Sequence, residues 1–324
     1  MSFNPIVIIG GEPQSVFIEI LLKSIKRKHL PIILISSEDI LIKNIKKFNF
    51  KTKFNYLNKD FTNLNKNKIN LININYNKFS FLKKTITTES NNFINLSFKK
   101  ALEVISKIKC SGLINGPISK KTFLKGKFKG ITEFLAKKTN SDDPVMLIYN
   151  RKLSVCPLTT HLPISKVSRK VKKKLIIDKV KKIYFFYKNI LKTSPRIAVT
   201  GLNPHCESFD KDNKEKKEII PAIKYLKKIR IDVEGPYSPD TIFLRENTKR
   251  FDVIVGMYHD QVLGPMKTLY GFKAINITIG LPFIRISPDH GPNEKMLGKN
   301  KSNPLSLIKA ITFLDKNWLE LKKV

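Results

Sequence analysis

The stretch "FDVIVGMYHDQ" (residues 251–261) contains an apolar run, Val253 to Met257, that gives way to a histidine–carboxylate pair, His259 and Asp260. A run that is apolar at every position is typical of a strand covered on both faces of its sheet. Comparable runs alternate with helical patterns along the chain, as where "PIVIIG" precedes "SVFIEILLKSIKRK" and "PIILIS" precedes "EDILIKNIKKF". This alternation predicts an α/β fold with parallel strands.

The pattern of an apolar strand, a short turn and a histidine occurs three times. It is found in "LSVCPLTTH", ending at His161, in "RIAVTGLNPH", ending at His205, and in "DVIVGMYH", ending at His259. Ligands of open α/β sheets bind outside the carboxyl ends of the strands, and neutral imidazole binds divalent transition metals. Each histidine alone is more simply explained as a turn or core residue. Three of the five histidines in one context favour a shared metal site.

Polar residues follow these strand ends in the sequence. Asp260 adjoins a candidate ligand, Asp240 lies in the turn "GPYSPDTIF", and Lys267, Asn276 and Arg285 come after them. Arginine and lysine bind phosphate or carboxylate. A single lysine in so basic a chain is more simply an exposed surface residue. The arginine of "GLPFIRIS" is set among apolar residues, where its charge must find a partner.

Length and composition exclude several classes of protein. A chain of 324 residues with 41% hydrophobic residues suits one large domain or two lobes. Three cysteines (Cys110, Cys156 and Cys206) without a C-x-x-C pair argue against a disulfide scaffold. The start "MSFNPIVIIGGEP" resembles a first strand and not a signal peptide, and no run approaches the roughly 18 apolar residues of a membrane span. We therefore expect a cytoplasmic protein without a membrane partner.

The net charge of +35 raises the question of nucleic acid. Lys, Asn and Ile are abundant together, as in "NLNKNKINLININYNKF", and all three have AT-rich codons, so drift in composition explains the charge equally well. No RNA-binding signature or aromatic-interleaved basic motif is present. We do not expect nucleic acid to be a partner, and a basic nucleic-acid-binding protein on an enzyme scaffold is kept as the remote alternative.

Several nucleotide and hydrolase motifs are missing. No G-x-G-x-x-G follows a strand, and no G-K-[ST] of a phosphate-binding loop is present. No G-x-S-x-G elbow supports a serine hydrolase. Any nicotinamide cofactor must therefore bind outside a Rossmann turn.

Six strings together resemble the family of 4-hydroxythreonine-4-phosphate dehydrogenases of vitamin B6 biosynthesis, in that family's order and near its spacing over essentially the whole chain. They are "NGPISK" (115–120), "TTHLP" (159–163), "GLNPH" (201–205), "GPYSPDTIF" (235–243), "MYHDQ" (257–261) and "NITIGLPFIRISPDHG" (276–291).

The resemblance implies a two-lobed α/β/α subunit like those of the isocitrate and isopropylmalate dehydrogenases, with a non-Rossmann cofactor site. We expect one catalytic unit over 1–324, its lobes spanning roughly 1–125 plus 275–324, and 126–274, with a cleft between them. It also implies a homodimer whose active site is shared between subunits.

The resemblance also assigns residues. The implied metal ligands are His161, His205 and His259, holding Zn2+, Mg2+ or Co2+; the implied substrate-binding residues are Thr132, Lys267, Asn276 and Arg285. The implied reaction is oxidation of 4-phosphooxy-L-threonine by NAD+ or NADP+, followed by loss of carbon dioxide. Asp260 and Asp240 are the candidate catalytic carboxylates, which orient the ligands or relay the proton.

The stretch "DHGPNEKMLGKN" (289–300) resembles the adenosine-binding loop of the same dehydrogenases, with His290, Gly291 and Gly298 at the family's spacing. Lys295 stands where NAD-using relatives tend to carry an acid. An ammonium attracts a ribose 2′-phosphate that a carboxylate repels. This predicts that NADP+ is used at least as well as NAD+, unless Lys295 is an ordinary surface lysine.

The chain departs from the family at three places. The first turn is "GEPQSVFIE" in place of a glycine-rich start, the family's "GHTE" is "GITE" with Ile131 replacing a histidine, and the loop after "NPH" is "CESFDKDNK". These departures leave open a sister dehydrogenase acting on another 4-phosphorylated hydroxy acid, threonate or erythronate phosphate.

Overall fold

The computed structural model describes residues 4–25, 30–58, 60–82, 88–119, 123–124, 128, 130–206, 213–288 and 291–321, with the backbone alone for 317–321. The strands are β1 Ile6–Ile9, β2 Ile32–Ser36, β3 Phe54–Tyr56, β4 Ile69–Asn73, β5 Gly112–Asn115, β6 Val145–Tyr149, β7 Ser154–Thr159, β8 Ile197–Thr200, β9 Val233–Tyr237, β10 Val253–Tyr258, β11 Ile275–Ile279 and β12 Arg285–Ser287. The longer helices are α1 Phe17–Ser24, α2 Glu38–Phe48, α3 Thr88–Lys107, α4 Ile131–Lys138, α5 Lys173–Phe186, α6 Ile220–Lys228, α7 His259–Tyr270 and α8 Leu305–Leu321. Shorter helical turns are Ile164–Lys166, Val167–Lys170, Tyr187–Leu191, Pro204–Cys206, Glu215–Ile219, Arg245–Thr248, Gly271–Lys273 and Glu294–Met296.

The predicted α/β class is confirmed, and the strands show why. Strands β1, β2 and β5 are buried at every position, as continuous apolar runs require when helices cover both faces of a sheet. Helix α2 has the charge pattern that its dipole favours, with acidic residues in its first turn and lysines in its last. It ends at Asn49, whose left-handed backbone (φ 54°) closes the helix.

The chain divides into two compact units. The first consists of Met1–Ser141 and Leu281–Val324. Its strands lie in the order β3-β4-β2-β1-β5-β12, and every neighbouring pair is parallel. The carboxyl ends of these strands therefore share one edge, and the loops that follow β1, β5 and β12 begin there.

The second unit is Asp142–Gly280. Its strands lie in the order β11-β6-β7-β10-β8-β9. Strands β7, β10, β8 and β9 are parallel neighbours, whereas β6 runs antiparallel to both β7 and β11. The core on one side of β10 includes Val155, Ala198, Ile254 and Val262, which pack together without polar atoms.

Two further predictions from the sequence concern stretches of the first unit. The pattern of the Asn-rich stretch 51–89 predicts the least regular part of the chain, and the described residues agree, since loops join the short strands β3 and β4 and the start of α3. The sequence also predicts a helical stretch in "PISKKTFLKGK" (117–127) after the strand of "SGLING", and this stretch lies mostly outside the described residues. In the part of the chain that is described, no helix is long and apolar enough to span a bilayer.

Gly256 in β10 leaves room for the side chains that follow the strand. A Cβ at this position would lie 2.4 Å from Val262 Cγ1 and 2.9 Å from Gln261 Oε1. Gly264 in α7, by contrast, would meet no heavy atom within 4 Å. Packing therefore requires a glycine at position 256, whereas packing does not require one at position 264.

Gly256→Ala should lower the free energy of unfolding by about 1–3 kcal/mol, because the added methyl overpacks a closed region. Gly264→Ala is the matched control, and it should change that free energy by less than about 1 kcal/mol, since its methyl meets open space and Pro265 offsets the helix preference of alanine. Urea unfolding measures both. Equal effects of the two substitutions would contradict the packing argument.

Candidate active site

The three predicted metal ligands follow three adjacent strands. Strand β10 pairs in parallel with β7 on one side and with β8 on the other. His161, His259 and His205 come shortly after the carboxyl ends of β7, β10 and β8 respectively. Thr159 Oγ1 donates a 2.8 Å hydrogen bond to the carbonyl of Met257, which joins the ends of β7 and β10. The strand topology therefore directs all three histidines to one edge of the second unit.

Two of these histidine rings already face each other. The ring centroids of His161 and His259 are 6.2 Å apart with an interplanar angle of 32°. Imidazoles that share one zinc ion have centroids about 5–6 Å apart, so this separation is slightly beyond that range. Within the described ranges, no three His, Cys, Asp or Glu side chains are gathered tightly enough to hold a metal ion as they stand. The set fits a metal by its donor chemistry and strand positions, and metal binding stays a prediction.

The backbone is strained at two of the three histidines. His161 and His205 have left-handed φ values of 37° and 54°, and Cys206 follows at 60°. Residues with a Cβ adopt this region at a cost of roughly 1–3 kcal/mol each, and such residues cluster at functional sites. Left-handed backbone also occurs at helix ends such as Asn49 and Lys192, so the conformation agrees with a functional position but does not identify one by itself.

The two candidate catalytic carboxylates contact the histidines differently. Asp260 Oδ1 lies 2.6 Å from His259 Nδ1, and a carboxylate on Nδ1 leaves Nε2 as the metal-binding nitrogen. Asp240 accepts a 2.6 Å hydrogen bond from Ser238 Oγ. That bond lowers the pKa of Asp240, and the charge of His205 lowers it further. Asp240 is thus an ionised neighbour of His205.

The other polar candidates of the second unit lie on α7 and β11. Lys267 is exposed in the last turn of α7, with Nζ 5.5 Å from the centroid of the Phe272 ring. Partial desolvation lowers the pKa of Lys267. Asn276 is the second residue of β11, and its Oδ1 is buried without a hydrogen-bond partner among the described residues. An orphaned buried acceptor is costly, and a bound water, ion or ligand is one way in which it is satisfied.

Arg285 lies in the first unit and is the predicted cation in an apolar setting. It is 4% exposed, and its Nε donates a 2.7 Å hydrogen bond to Asn115 Oδ1 at the end of β5. Its Nη1 donates a 3.3 Å bond to Thr132 Oγ1. Burial lowers the pKa of Arg285 to about 10, and the charge of Glu133 opposes that shift. Hydrogen bonds to Asn115 and Thr132 and the nearby charge of Glu133 thus stabilise this cation in the interior.

The expected cofactor loop also belongs to the first unit. Lys295 is exposed in the turn Glu294–Met296, and Gly298 has a left-handed φ of 77°. Gly291 is exposed, whereas His290 lies outside the described residues. The Val16 amide donates a 3.1 Å bond to the carbonyl of Pro292, which ties this loop to the one after β1.

Sequence reasoning missed three side chains that hold these residues in place. Asn115 binds Arg285, Gln261 joins the ends of β8 and β10, and Glu215 binds the loop before His205. Asn115 lies inside the quoted string "NGPISK", so its place at a strand end was an available signal. Glu215 gave no such signal, because it is one acid in a charged stretch.

Comparisons with known proteins agree with the resemblance seen in the sequence. The chain matches the family "Pyridoxal phosphate biosynthetic protein PdxA" over residues 28–314. A 4-hydroxythreonine-4-phosphate dehydrogenase from Sulfurihydrogenibium sp. is 35% identical over 308 residues, covering 93% of this chain and 94% of that protein. A provisionally named D-threonate 4-phosphate dehydrogenase from Oceanobacillus iheyensis is 31% identical over 323 residues, covering 96% and 97%.

A solved structure extends the agreement to the fold. The crystal structure of a 4-hydroxythreonine-4-phosphate dehydrogenase from Burkholderia phymatum matches with a TM-score of 0.80 and 26% identity, covering 98% of both chains. Dehydrogenases of this family imply a nicotinamide cofactor and a metal. The predicted family and enzyme class are confirmed: the chain belongs to the pyridoxal phosphate biosynthetic protein PdxA family, whose relatives described here are dehydrogenases.

Proposed function

We propose that the protein oxidises the C3 hydroxyl of 4-phosphooxy-L-threonine with NAD+ or NADP+. The product, 2-amino-3-oxo-4-phosphooxybutanoate, then loses carbon dioxide to give 3-amino-2-oxopropyl phosphate, a step of pyridoxal phosphate biosynthesis. The observation that carries the proposal is the row of histidines after three parallel strands, two of them in left-handed backbone. Relatives that span the whole chain and bear the name of this activity support it.

The second unit provides the acid–base part of the reaction. A divalent metal held by His161, His205 and His259 would supply Lewis acidity, which makes the substrate hydroxyl easier to deprotonate and stabilises negative charge during decarboxylation. Three imidazoles favour Zn2+ or Co2+ over Mg2+, which prefers oxygen ligands. Asp260 fixes the ring of His259 through its 2.6 Å contact. Asp240 is ionised near His205, and its negative charge would favour the binding of a metal cation at this histidine.

Cations and amides bind the anionic ends of the substrate. Arg285 offers a planar fork suited to phosphate or carboxylate, and its hydrogen bonds to Asn115 and Thr132 fix the orientation of that fork. Lys267 supplies a point charge, and Thr132 and Asn276 add a hydroxyl and an amide. Partial desolvation strengthens the attraction between Lys267 and an anion, because the charge is less screened.

The cofactor would bind at Gly291, Lys295 and Gly298, together with His290. The left-handed Gly298 lets the backbone turn closely, and the exposed Lys295 is available to a ribose 2′-phosphate. We therefore propose that NADP+ is used at least as well as NAD+.

We also propose a cytoplasmic homodimer whose active site is shared between subunits. The support for this proposal is the resemblance to the family and not a feature of the described surface. Nucleic acid is not a proposed partner.

A sister activity is the second candidate. Ile131, buried at the start of α4 beside Thr132, replaces the histidine that the family carries. The threonate phosphate relative is similar over nearly the whole chain. Threonate and erythronate phosphates carry a hydroxyl where 4-phosphooxy-L-threonine carries an amino group, so the pocket around C2 decides between them.

The test is the appearance of NADH or NADPH with purified protein, Zn2+ or Co2+, and each of the three phosphorylated acids. We expect kcat/KM for 4-phosphooxy-L-threonine to exceed the others by about tenfold or more, the equivalent of one well-made interaction of 1.4 kcal/mol. A higher value for threonate or erythronate phosphate would establish the sister activity instead.

His205→Ala should abolish activity and weaken metal binding, because it removes an imidazole ligand from an exposed loop and no core volume. Elemental analysis measures the bound metal, and circular dichroism checks that the variant is still folded. Undiminished metal content in a folded variant would contradict the proposed metal site.

Arg285→Lys should raise KM by about tenfold or more, because a hydrogen bond to a charged group contributes about 1.5–3 kcal/mol and lysine lacks the guanidinium fork. Arg250→Lys is the control, since Arg250 is exposed and pairs with Glu234. Initial rates across substrate concentrations give KM and kcat. An unchanged KM in Arg285→Lys would remove Arg285 from the substrate site.

A further inference from the structure

The buried carboxylate of Glu215 binds the first residues of the loop that carries His205. Glu215 begins a π-helical turn, Glu215–Ile219, and is 1% exposed. Its Oε1 accepts 2.8 Å hydrogen bonds from the backbone amides of Leu202 and Asn203. Its Oε2 accepts a 3.0 Å bond from Asn203 Nδ2. Both oxygens are therefore directed at the two residues that follow β8 and Gly201.

Glu215 is ionised despite its burial. Desolvation alone would raise the pKa of Glu215, but the bonds from Asn203 and Leu202 outweigh it and hold the pKa below its ordinary value. Hydrogen bonds to an ionised acceptor are about twice as strong as neutral ones. The interaction is thus a strong anchor at neutral pH.

The same loop is fixed from its other side. Gln261 Nε2 donates a 2.9 Å bond to the carbonyl of Gly201, while Gln261 Oε1 accepts bonds from Thr200 Oγ1 at 2.9 Å and from the Met257 amide at 2.6 Å. The Gly201 amide donates to the carbonyl of Tyr237. Both the amide and the carbonyl of Gly201 are therefore hydrogen-bonded, and Glu215 fixes the backbone amides of the next two residues.

The strained residues come directly after this anchor. His205 and Cys206 both have left-handed backbone, and the Cys206 amide donates a 3.2 Å bond to the carbonyl of Asn203. Strained conformations persist only where their surroundings over-determine them. Asn203 is the point at which the Glu215 carboxylate and this turn meet.

We propose that Glu215 is a positioning residue for His205: by binding the amides of Leu202 and Asn203, it sets the turn that points the imidazole toward the metal. The inference rests on the proposed metal site. Partners that orient metal ligands typically change metal affinity by 10- to 100-fold when they are mutated. A role confined to folding would instead change stability and leave the affinity of folded protein unaltered.

The chain offers a matched control on the same helical turn. Glu218 Oε2 accepts a 2.7 Å bond from the Lys173 amide, and its Oε1 accepts a 3.0 Å bond from Lys172 Nζ. Glu218→Gln and Glu215→Gln are therefore the same substitution on two carboxylates that each bind backbone amides. Of these two carboxylates, Glu215 is the one that binds the described part of the loop that carries His205.

The experiment measures Co2+ and Zn2+ affinity of the metal-free protein by calorimetry, with unfolding free energy and amide hydrogen exchange at Leu202 and Asn203. We expect Glu215→Gln to weaken metal binding about tenfold or more and to speed exchange at both amides. Glu218→Gln should leave both unchanged at a comparable loss of stability. If Glu215→Gln fails to fold, Asn203→Ala removes one of the three bonds and should act in the same direction more weakly.

Faster exchange at Leu202 and Asn203 with unaltered metal affinity would overturn the proposal, and so would unaltered exchange. Absence of metal binding in the unmutated protein would instead overturn the proposed function. In that case the exchange rates still decide whether Glu215 sets the loop.

Discussion

The parallel pairing of β7, β10 and β8 is the constraint on which the candidate active site depends. Parallel neighbours end at the same edge, so residues from three distant parts of the chain follow one another along it. Antiparallel pairing of β10 with either neighbour would send one histidine to the opposite edge. The bonds of Thr159 and Gln261 across the strand ends fix this arrangement at the point where it matters.

Much of the fold and part of the site could be predicted from the sequence. Continuous apolar runs predicted β1, β2, β8 and β10, because a strand buried on both faces carries apolar residues at nearly every position. The histidines and Arg285 stood out because they are costly or rare in an apolar setting. The roles of Glu215 and Gln261 could not be predicted, since their partners are mostly backbone atoms. Every residue has these atoms, so the sequence does not show which of them a side chain binds.

Strands β3 and β4 were missed for a different physical reason. Alternating Asn and Ile in "INLIN" resembles low-complexity sequence, and Asn is depleted in strands. The structure buries Asn70 completely and satisfies its amide with bonds to the carbonyls of Ile32 and Asn65 and from Asn55 Nδ2 and the Asn65 amide. A fully bonded amide replaces apolar packing without leaving an unsatisfied group.

The satisfied amide of Asn70 bears on how such a chain evolves. Mutation that steadily enriches asparagine would ordinarily stop at the interior, where an unpaired amide costs about 1–3 kcal/mol. At β4 the partners of the Asn70 amide include the side chain of Asn55, in the neighbouring strand β3, and the backbone of Asn65, in the loop before β4. The interior of this protein therefore accepts an asparagine where neighbouring atoms complete its hydrogen bonds, and an apolar residue in place of Asn70 would leave Asn55 Nδ2 with one of its two acceptors.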